Sequence, residues 1–232
     1  MRHGKFGRSE RIKANYMLKI KLNTKRGLKV LCLGAHSDDI EIGCGGTILI
    51  TLNKYKYSSV YWVVFSAMPP RDKEARRSAD LFLKDASSKY IITENFRNGY
   101  FPYNGMEIKD YFEMLKKNIS PDIVFTHSRT DLHQDHRTVS ELTWNTFRNN
   151  FILEYEIPKY DGDFGSPNVF VPLNYEVCQR KIGIILNSFK SQNDKKWFTK
   201  DLFLSTLRIR GMECVSSTNY AEAFYCRKSV LE

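Results

Sequence analysis

The sequence predicts an α/β protein in which a mainly parallel sheet lies between two layers of helices, and three observations lead to this prediction. Short apolar runs that suit strands alternate with longer segments of helical spacing along the chain. Such alternation is typical of βαβ units, whose helices cover both faces of a parallel sheet. The chain has no internal repeat, and its 232 residues, 42% of them hydrophobic, suit one domain. We therefore expect a Rossmann-like three-layer α/β/α sandwich.

The predicted first strand covers residues 27–34, an apolar run that is closed by glycine. Another strand, at 121–126, is opened by proline and contains residues that favour strands. Both are followed at once by polar residues. Further strands are predicted at 57–66, 90–93, 152–157, 169–172 and 222–227.

Helical spacing of apolar residues follows most of these strands. A glycine-rich helix start follows the first strand, and its glycines are expected to let that helix pack close to the adjoining loop. Pro69 and Pro70 break the chain directly before the next helix. The remaining helices are predicted at 71–84, 107–118, 136–149, 174–190 and 199–211.

Two polar clusters stand where a predicted strand ends and a helix begins. The first, at 36–39, follows the first strand, and the second, at 133–136, follows the strand at 121–126. Open α/β sheets build their sites at such strand ends, so both clusters can face one cleft. Their imidazole and carboxylate groups belong to His36, Asp38, Asp39, His133, Asp135 and His136.

These side chains suit a hydrolytic metal site. Zinc prefers imidazole nitrogen and carboxylate oxygen, and a catalytic zinc keeps three protein ligands so that water can take the open position. His36, Asp39 and His136 would satisfy that count. A zinc site is therefore predicted, although Fe²⁺ or Co²⁺ would also suit this ligand set.

The remaining groups of the clusters suit proton transfer. A metal lowers the pKa of its bound water to about 7, and we interpret Asp38 as the general base that takes the proton from this water. Asp135 is interpreted as an orienting group that holds His133. In that position His133 would stabilise the oxyanion and protonate the leaving amine. The alternative, in which each cluster is only a polar loop, is weakened because both clusters occur together.

Residues 35–39 read Ala-His-Ser-Asp-Asp, and the run from 39 to 47 continues as Asp-Ile-Glu-Ile-Gly-Cys-Gly-Gly-Thr. Residues 131–136 read Asp-Leu-His-Gln-Asp-His. Both stretches resemble signatures of the PIG-L/LmbE-type zinc-dependent N-deacetylases, of which the first is Ala-His-Pro-Asp-Asp and the second ends in His-x-Asp-His. The resemblance runs from residue 27 to residue 227 and includes Arg-x-x-Glu at 71–74, Ser-Gln at 191–192 and Tyr-Ala-Glu-Ala-Phe at 220–224.

The resemblance implies hydrolysis of the acetamide of an N-acetylglucosaminyl conjugate. It assigns the metal to a His-Asp-His triad, the base to the first aspartate of the pair, and stabilisation of the transition state to a histidine near the second signature. These roles fall on the residues named above. It also implies that Arg71 contacts the substrate, whereas the alternative is a surface arginine on a charged helix.

Two residues depart from the family pattern. Ser37 replaces a proline, which loosens the turn between a ligand and the base but removes no functional group. Asn98 stands where several relatives have an aspartate that binds sugar hydroxyls. The sugar specificity is therefore open.

The predicted function is metal-dependent removal of the N-acetyl group from an N-acetylglucosamine-type amino-sugar conjugate. A non-catalytic carbohydrate-binding protein on the same fold is an alternative, although no ligand and no base has been lost. A metal-dependent amidase for a different acylated amine is another. A dinucleotide enzyme is disfavoured, because the glycines at 43–46 lack the G-x-G-x-x-G spacing.

The net charge of +10 is unevenly distributed. Residues 1–27 carry nine Lys or Arg and one Glu, which leaves +2 for the rest of the chain. We therefore expect a basic N-terminal extension at 1–26 and a single catalytic domain at 27–232. The extension could touch nucleic acid or anionic lipid, or it could be solvated without a partner. For the nearly neutral domain no nucleic-acid partner is expected.

Composition also constrains the cellular setting. No apolar stretch approaches the roughly 20 residues that span a bilayer, and a signal-peptide core is absent. The five cysteines form no C-x-x-C pair and are odd in number, which argues against a disulfide framework. We expect a cytoplasmic protein whose partner is a small-molecule amino-sugar conjugate, and a homo-oligomer is compatible with the sequence.

Overall fold

A seven-stranded sheet forms the centre of the computed structural model, which describes residues 19–22, 24 and 26–230. The strands are β1 (Lys29–His36), β2 (Ser59–Ser66), β3 (Ser88–Thr93), β4 (Ile123–His127), β5 (Phe151–Tyr155), β6 (Val169–Leu173) and β7 (Tyr220–Tyr225). Their order in the sheet is β3-β2-β1-β4-β5-β7-β6. The first five of these run parallel, whereas β7 is antiparallel to both neighbours. The mainly parallel sheet is therefore confirmed.

Helices cover both faces of the sheet. They are α1 (Asp39–Lys54), α2 (Arg71–Phe82), α3 (Gly105–Asn118), α4 (Gln134–Phe147), α5 (Tyr175–Ser188) and α6 (Lys200–Glu213), with 3₁₀ turns at Phe101–Asn104 and Lys190–Gln192. Alternate residues of β1 enter opposite layers: Val30 and Cys32 pack with α1, α2, α5 and α6, whereas Leu31 and Leu33 pack with α3 and α4. A parallel strand buried on both faces accounts for the continuous apolar run of β1. The three-layer sandwich is confirmed.

Each predicted strand and helix is present, and its ends lie within two residues of the predicted positions. The sequence pattern predicted neither the two 3₁₀ turns nor the direction of β7. Most of the predicted extension at 1–26 lies outside the described residues. Arg26, at its end, forms a bidentate ion pair with Asp122 at 2.5 and 2.9 Å.

The glycines of α1 bring this helix close to the sheet. A Cβ atom at Gly43 would lie 2.2 Å from the ring of Tyr155 on β5, and one at Gly46 would lie 2.6 Å from Leu173 on β6. A Cβ at Gly45 would lie 2.7 Å from Phe82 of α2. Contrary to the expectation from sequence, these glycines therefore accommodate side chains of the sheet and of α2 rather than the adjoining loop.

A buried ion pair fixes the middle of α1. Glu222 of β7 accepts hydrogen bonds from the backbone N–H groups of Gly46 and Thr47 at 2.7 and 2.6 Å. Lys181 of α5 lies 2.6 Å from the same carboxylate and donates to the carbonyl of Ile42 at 2.7 Å. Both charged residues are buried. Their contacts attach α1, the helix that begins at the first polar cluster, to β7 and α5.

Candidate active site

The ends of β1 and β4 bring the two polar clusters together. His36 is the last residue of β1, Asp38 directly precedes α1, and Asp39 is the first residue of that helix. His133 directly precedes α4, and His136 lies in its first turn. Since β1 and β4 are adjacent and parallel, their carboxyl ends share one edge of the sheet. The expectation that both clusters face one site agrees with this placement.

Three donor atoms converge at this edge. Nδ1 of His36 lies 3.1 Å from Nε2 of His136, and Oδ2 of Asp39 lies 3.5 and 3.6 Å from these two nitrogens. Ligands that surround a zinc ion tetrahedrally at about 2.0–2.2 Å are separated by about 3.3–3.6 Å. The three atoms thus have the spacing of one face of a tetrahedron.

Two carboxylates orient the histidines of this triad. Asp135 accepts from Nε2 of His36 at 3.1 Å, and Asp131 accepts from Nδ1 of His136 at 2.9 Å. In the neutral rings, these partners assign the proton to the outer nitrogen, so that the inner nitrogen keeps the lone pair that a metal ion needs. Both imidazoles are arranged as metal ligands usually are.

The predicted partner of Asp135 was wrong. Its carboxylate contacts His36 and accepts from the backbone N–H groups of Gly99 and Phe101 at 2.6 and 3.1 Å. Among the described residues, the ring of His133 accepts a hydrogen bond only from the backbone N–H of Asp135, at 3.2 Å. Residues two apart at the start of a helix do not face each other, so the Asp135 side chain turns away from His133.

The electrostatics of the triad favour a positive charge at its centre. Burial disfavours the charged form of His36, but Asp39 and the hydrogen bond to Asp135 outweigh burial and raise the pKa of His36 to about 9. Burial and repulsion from His127 lower the pKa of His136 to about 3. Burial acts to raise the pKa of Asp39, but the surrounding histidines hold it well below its usual value. His36 is then charged beside an ionised Asp39 and a neutral His136, which places a proton among the three donor atoms, where a metal ion would lie.

His127 is a further buried member of the cluster, to which the sequence pattern assigned no role. Its Nε2 lies 3.2 Å from Oδ2 of Asp39 and accepts from the backbone N–H of Ala35 at 2.9 Å. Its ring stacks on His136 with centroids 3.9 Å apart. Within the described residues, His127 forms a three-donor set with Asp39 and His136. His36, His133 and His136 form another such set. Its position at the end of β4 is the signal that could have identified it.

Asp38 stands apart from the donor triad and faces Arg71. Nη2 of Arg71, the first residue of α2, lies 2.7 Å from Oδ1 of Asp38, and both side chains are largely buried. In the described part of the chain, Oδ2 of Asp38 forms no hydrogen bond. Arg71 is thus a component of the site rather than a surface arginine. Ser37, which lies between His36 and Asp38, is buried.

His133 presents one ring nitrogen to the site. Because its Nδ1 accepts the N–H of Asp135, its Nε2 carries the proton in the neutral ring. Its ring centroid is 4.9 Å from that of His36 and 4.6 Å from that of His136. Burial and the charge of His36 lower the pKa of His133, which favours the neutral form.

The segment 97–101 borders the site through its backbone. Gly99 and Phe101 bind Asp135 as described, and the side chain of Gln134 donates to the carbonyl of Gly99. Asn98 is exposed in this turn. The guanidinium of Arg97 stacks 3.6 Å above the ring of Tyr100. The position that the sequence linked to sugar recognition therefore lies in a turn that is attached to the site.

Comparison with known proteins identifies the family. The sequence profile of the family described as PIG-L, GlcNAc-PI de-N-acetylase, matches residues 31–147, which contain both clusters. The chain belongs to this family of PIG-L-type deacetylases. Membership in a deacetylase family supports the assignment of this protein to the hydrolases.

Individual relatives agree with this assignment. The uncharacterized deacetylase YaiS of Escherichia coli (strain K12) is 28% identical over 175 residues, which are 70% of this chain and 90% of that protein. The structure of the N,N′-diacetylchitobiose deacetylase from Pyrococcus horikoshii has a TM-score of 0.64 and 24% identity, and the alignment covers 86% of this chain and 84% of that one. GalB, the 4-carboxy-2-hydroxymuconate hydratase from Pseudomonas putida KT2440, has a TM-score of 0.65 and 15% identity, with 88% and 98% covered. At these identities the solved structures show the fold alone, and the hydratase among them illustrates that the fold does not determine the reaction.

No helix among the described residues is long and apolar enough to cross a membrane. The five cysteines form no disulfide with one another in the structure. Cys32, Cys44 and Cys178 are buried in the apolar layer beside α1. None of them contributes a donor to the groups described above.

Proposed function

We propose that this protein removes the N-acetyl group from an N-acetylglucosamine-type amino-sugar conjugate, releasing acetate and a free amine. The observation that carries the proposal is the convergence of His36, Asp39 and His136 at 3.1–3.6 Å beside a separate carboxylate, Asp38. Family membership supports the acetamide as the bond that is broken. An amidase for a different acylated amine would use the same residues and differ in the substrate.

The triad suits a divalent ion such as Zn²⁺, and Fe²⁺ or Co²⁺ would accept the same donors. His36 and His136 would hold the ion through the nitrogens that face Asp39, and Asp39 would complete the set through Oδ2. When bound, such an ion polarises the acetyl carbonyl and lowers the pKa of a water to about 7.

The residues of the chain carry out the proton transfers. Asp38 takes the proton of the attacking water on Oδ2, while Arg71 holds Oδ1. The neutral ring of His133 donates a hydrogen bond from Nε2 to the acetyl oxygen, which becomes negatively charged when water adds to the acetyl carbon. The leaving amine then receives the proton from Asp38. The sequence had suggested His133 as the donor for this last step. We assign the step to Asp38 instead, because a neutral imidazole that gave up its proton would become an anion.

Substrate recognition is proposed for Arg71 and for the turn at 97–101. Arg71 uses one of its nitrogens for Asp38, and its other donors are available to hold a sugar hydroxyl or the acetyl oxygen. The exposed amide of Asn98 lies in the attached turn and could replace the carboxylate of the relatives. Both residues would select the sugar, whereas the aglycone would extend beyond them.

The proposal is tested by metal content and by acetate release. We expect about one zinc or iron per chain in the wild type, a strongly reduced content in His136→Ala, and acetate release from N,N′-diacetylchitobiose or a related conjugate by the metal-loaded wild type alone. A folded wild type that cannot be loaded with metal would instead favour the carbohydrate-binding alternative. Metal loading without acetate release from any acetamido sugar would favour another acylated amine.

The orienting carboxylate Asp131 provides a further prediction. Asp131→Asn should weaken metal binding by about 10- to 100-fold, because the Asp131 carboxylate orients the ring of His136 and raises the basicity of this ligand. Competition with a chromogenic chelator would measure the affinity. Asp194→Asn, which neutralises an exposed carboxylate, serves as the matched control. Equal affinities for both variants would mean that Asp131 does not support a ligand.

A further inference from the structure

The segment between β5 and β6 is fastened beside the candidate site by a largely buried lysine. Nζ of Lys159 lies 2.6 Å from Oδ2 of Asp163, 3.0 Å from Oδ2 of Asp131 and 3.3 Å from the carbonyl of Ile157. An ammonium group has three donors, so each of them has an acceptor. The Lys159 side chain is 11% exposed, and those of Asp131 and Asp163 are 2% and 7% exposed.

These contacts join the segment to the loop that carries His133. Asp163 also accepts the backbone N–H of Leu132 at 2.7 Å. Asp131 accepts the backbone N–H of His133 at 2.8 Å in addition to its bond with His136. The turn from 159 to 163 is therefore held on residues 131 and 132 from two sides.

A second anchor fastens the far end of the segment. The N–H of Gly165 donates to Glu156 at 3.0 Å, and its carbonyl accepts from Arg210 at 3.2 Å. Arg210 in turn forms a largely buried ion pair with Glu156 at 2.7 Å. The tip at 160–162 lies between these anchors, and within the described residues none of its side chains forms a hydrogen bond.

The tip carries an exposed aromatic ring, and the residues on either side of it contact the loop that carries His133. Tyr160 is 77% exposed and lies between the two clamped residues, Lys159 and Asp163. The neighbouring Leu132, directly before His133, is 57% exposed. Exposed apolar side chains on a fixed backbone suit the flat apolar face of a sugar ring, because an aromatic ring contributes a large contact area and loses little conformational freedom.

We propose that Tyr160 forms a wall of the substrate cleft and that Lys159 is the positioning residue that holds it there. The inference rests on the proposed function for the identity of the ligand, an acetamido sugar with its attached group. It concerns residues 159–163, to which the proposed chemistry assigns no role. Lys159 acts through the position of Tyr160 and not through the metal ligand that Asp131 supports.

The experiment compares Lys159→Met, Tyr160→Ala and the double variant with the wild type. Lys89→Met, which removes a lysine from an ion pair with Asp80 on the exposed strand β3, is the matched control. Three quantities are measured: the rate of chymotrypsin cleavage after Tyr160, the metal affinity, and kcat and KM for N,N′-diacetylchitobiose. The cleavage rate does not depend on activity, so it tests the clamp even if no acetamide is hydrolysed.

We expect Lys159→Met to be cleaved after Tyr160 much faster than the wild type or the control. Its KM should rise by about three- to tenfold, as should that of Tyr160→Ala, since an aromatic contact has this magnitude. The double variant should show no larger KM than the single variants, because two residues that act through one contact are not additive. Lys159→Arg, which keeps the cation, should restore resistance to cleavage. If Lys159→Met lowers the protein yield, Asp163→Asn tests the same clamp from the other side.

Two outcomes would overturn the proposal. Unchanged cleavage after Tyr160 in both Lys159→Met and Asp163→Asn would show that the ion pairs do not hold the tip. A weaker metal affinity of Lys159→Met, together with KM effects that add to those of Tyr160→Ala, would show that Lys159 acts through Asp131 and His136. Absence of acetamide hydrolysis in the wild type, with protected cleavage, would contradict the proposed function but leave the clamp intact.

Discussion

Replacing Asp38 by asparagine should lower kcat by about 10²- to 10⁴-fold, the usual contribution of a general base, while the metal content stays at the wild-type level. The asparagine keeps an oxygen for the hydrogen bond that Arg71 donates at 2.7 Å, so the local geometry is retained. It cannot take a proton from the attacking water. Steady-state kinetics on a protein whose metal content has been determined would measure the effect.

The contrast with Asp39 makes this prediction specific. Asp39→Ala should lower the metal affinity by more than about 100-fold, since even the loss of a group that only orients a ligand costs about 10- to 100-fold. Asp110→Asn, at an exposed position of α3, controls for the loss of one negative charge. Equal metal loss in the Asp38 and Asp39 variants would contradict the division into base and ligand. Full activity of Asp38→Asn would remove Asp38 from the mechanism.

Much of the fold could be predicted because local patterns determine it. The continuous apolar run of β1 reflects burial on both faces of a parallel strand, and the polar residues at 36–39 mark its end. The antiparallel direction of β7 could not be predicted in this way. It depends on pairing with β5 and β6, and a short strand carries no signal for the direction of a distant partner.

The candidate site shows the same division between local and distant contacts. The spacing within each cluster was sufficient to select His36, Asp39 and His136 as candidate ligands, and the structure brings their donor atoms together. The partner of Asp135 could not be found, because His36 is 99 residues away in the sequence. The sequence suggested the nearby His133 as the partner of Asp135, but the geometry of a helix start keeps these two side chains apart. The clamp by Lys159 was missed for a similar reason, since it joins two loops.

The role of Glu222 could not be predicted from the spacing of residues in the sequence. The Tyr-Ala-Glu-Ala-Phe stretch at 220–224 matched a family signature, but its spacing suggested no role. In the structure, Glu222 binds the middle of the helix that begins with Asp39. This glutamate is thus a structural support for one side of the site, more than 180 residues away from it in the sequence.

Glu222→Gln should therefore lower the free energy of unfolding by about 3–5 kcal/mol, the usual cost of leaving one buried charge of an ion pair without its partner. The substitution leaves the ammonium of Lys181, which is 3% exposed, against a neutral amide. Gly46 and Thr47 each donate to a different oxygen of the carboxylate. An amide has only one acceptor oxygen, so one of these two N–H groups would lose its acceptor. Urea denaturation followed by circular dichroism would measure the change.

The double variant Lys181→Met/Glu222→Gln separates the charge from the hydrogen bonds. If the unpaired ammonium accounts for most of the loss, the double variant should be more stable than Glu222→Gln, because it buries no uncompensated charge. A double variant as unstable as the single one would assign the loss to the N–H groups of α1 instead. Glu113→Gln, which breaks an exposed ion pair with Lys109 on α3, should have a much smaller effect than either. A comparable loss in Glu113→Gln would mean that burial does not decide the contribution of these ion pairs.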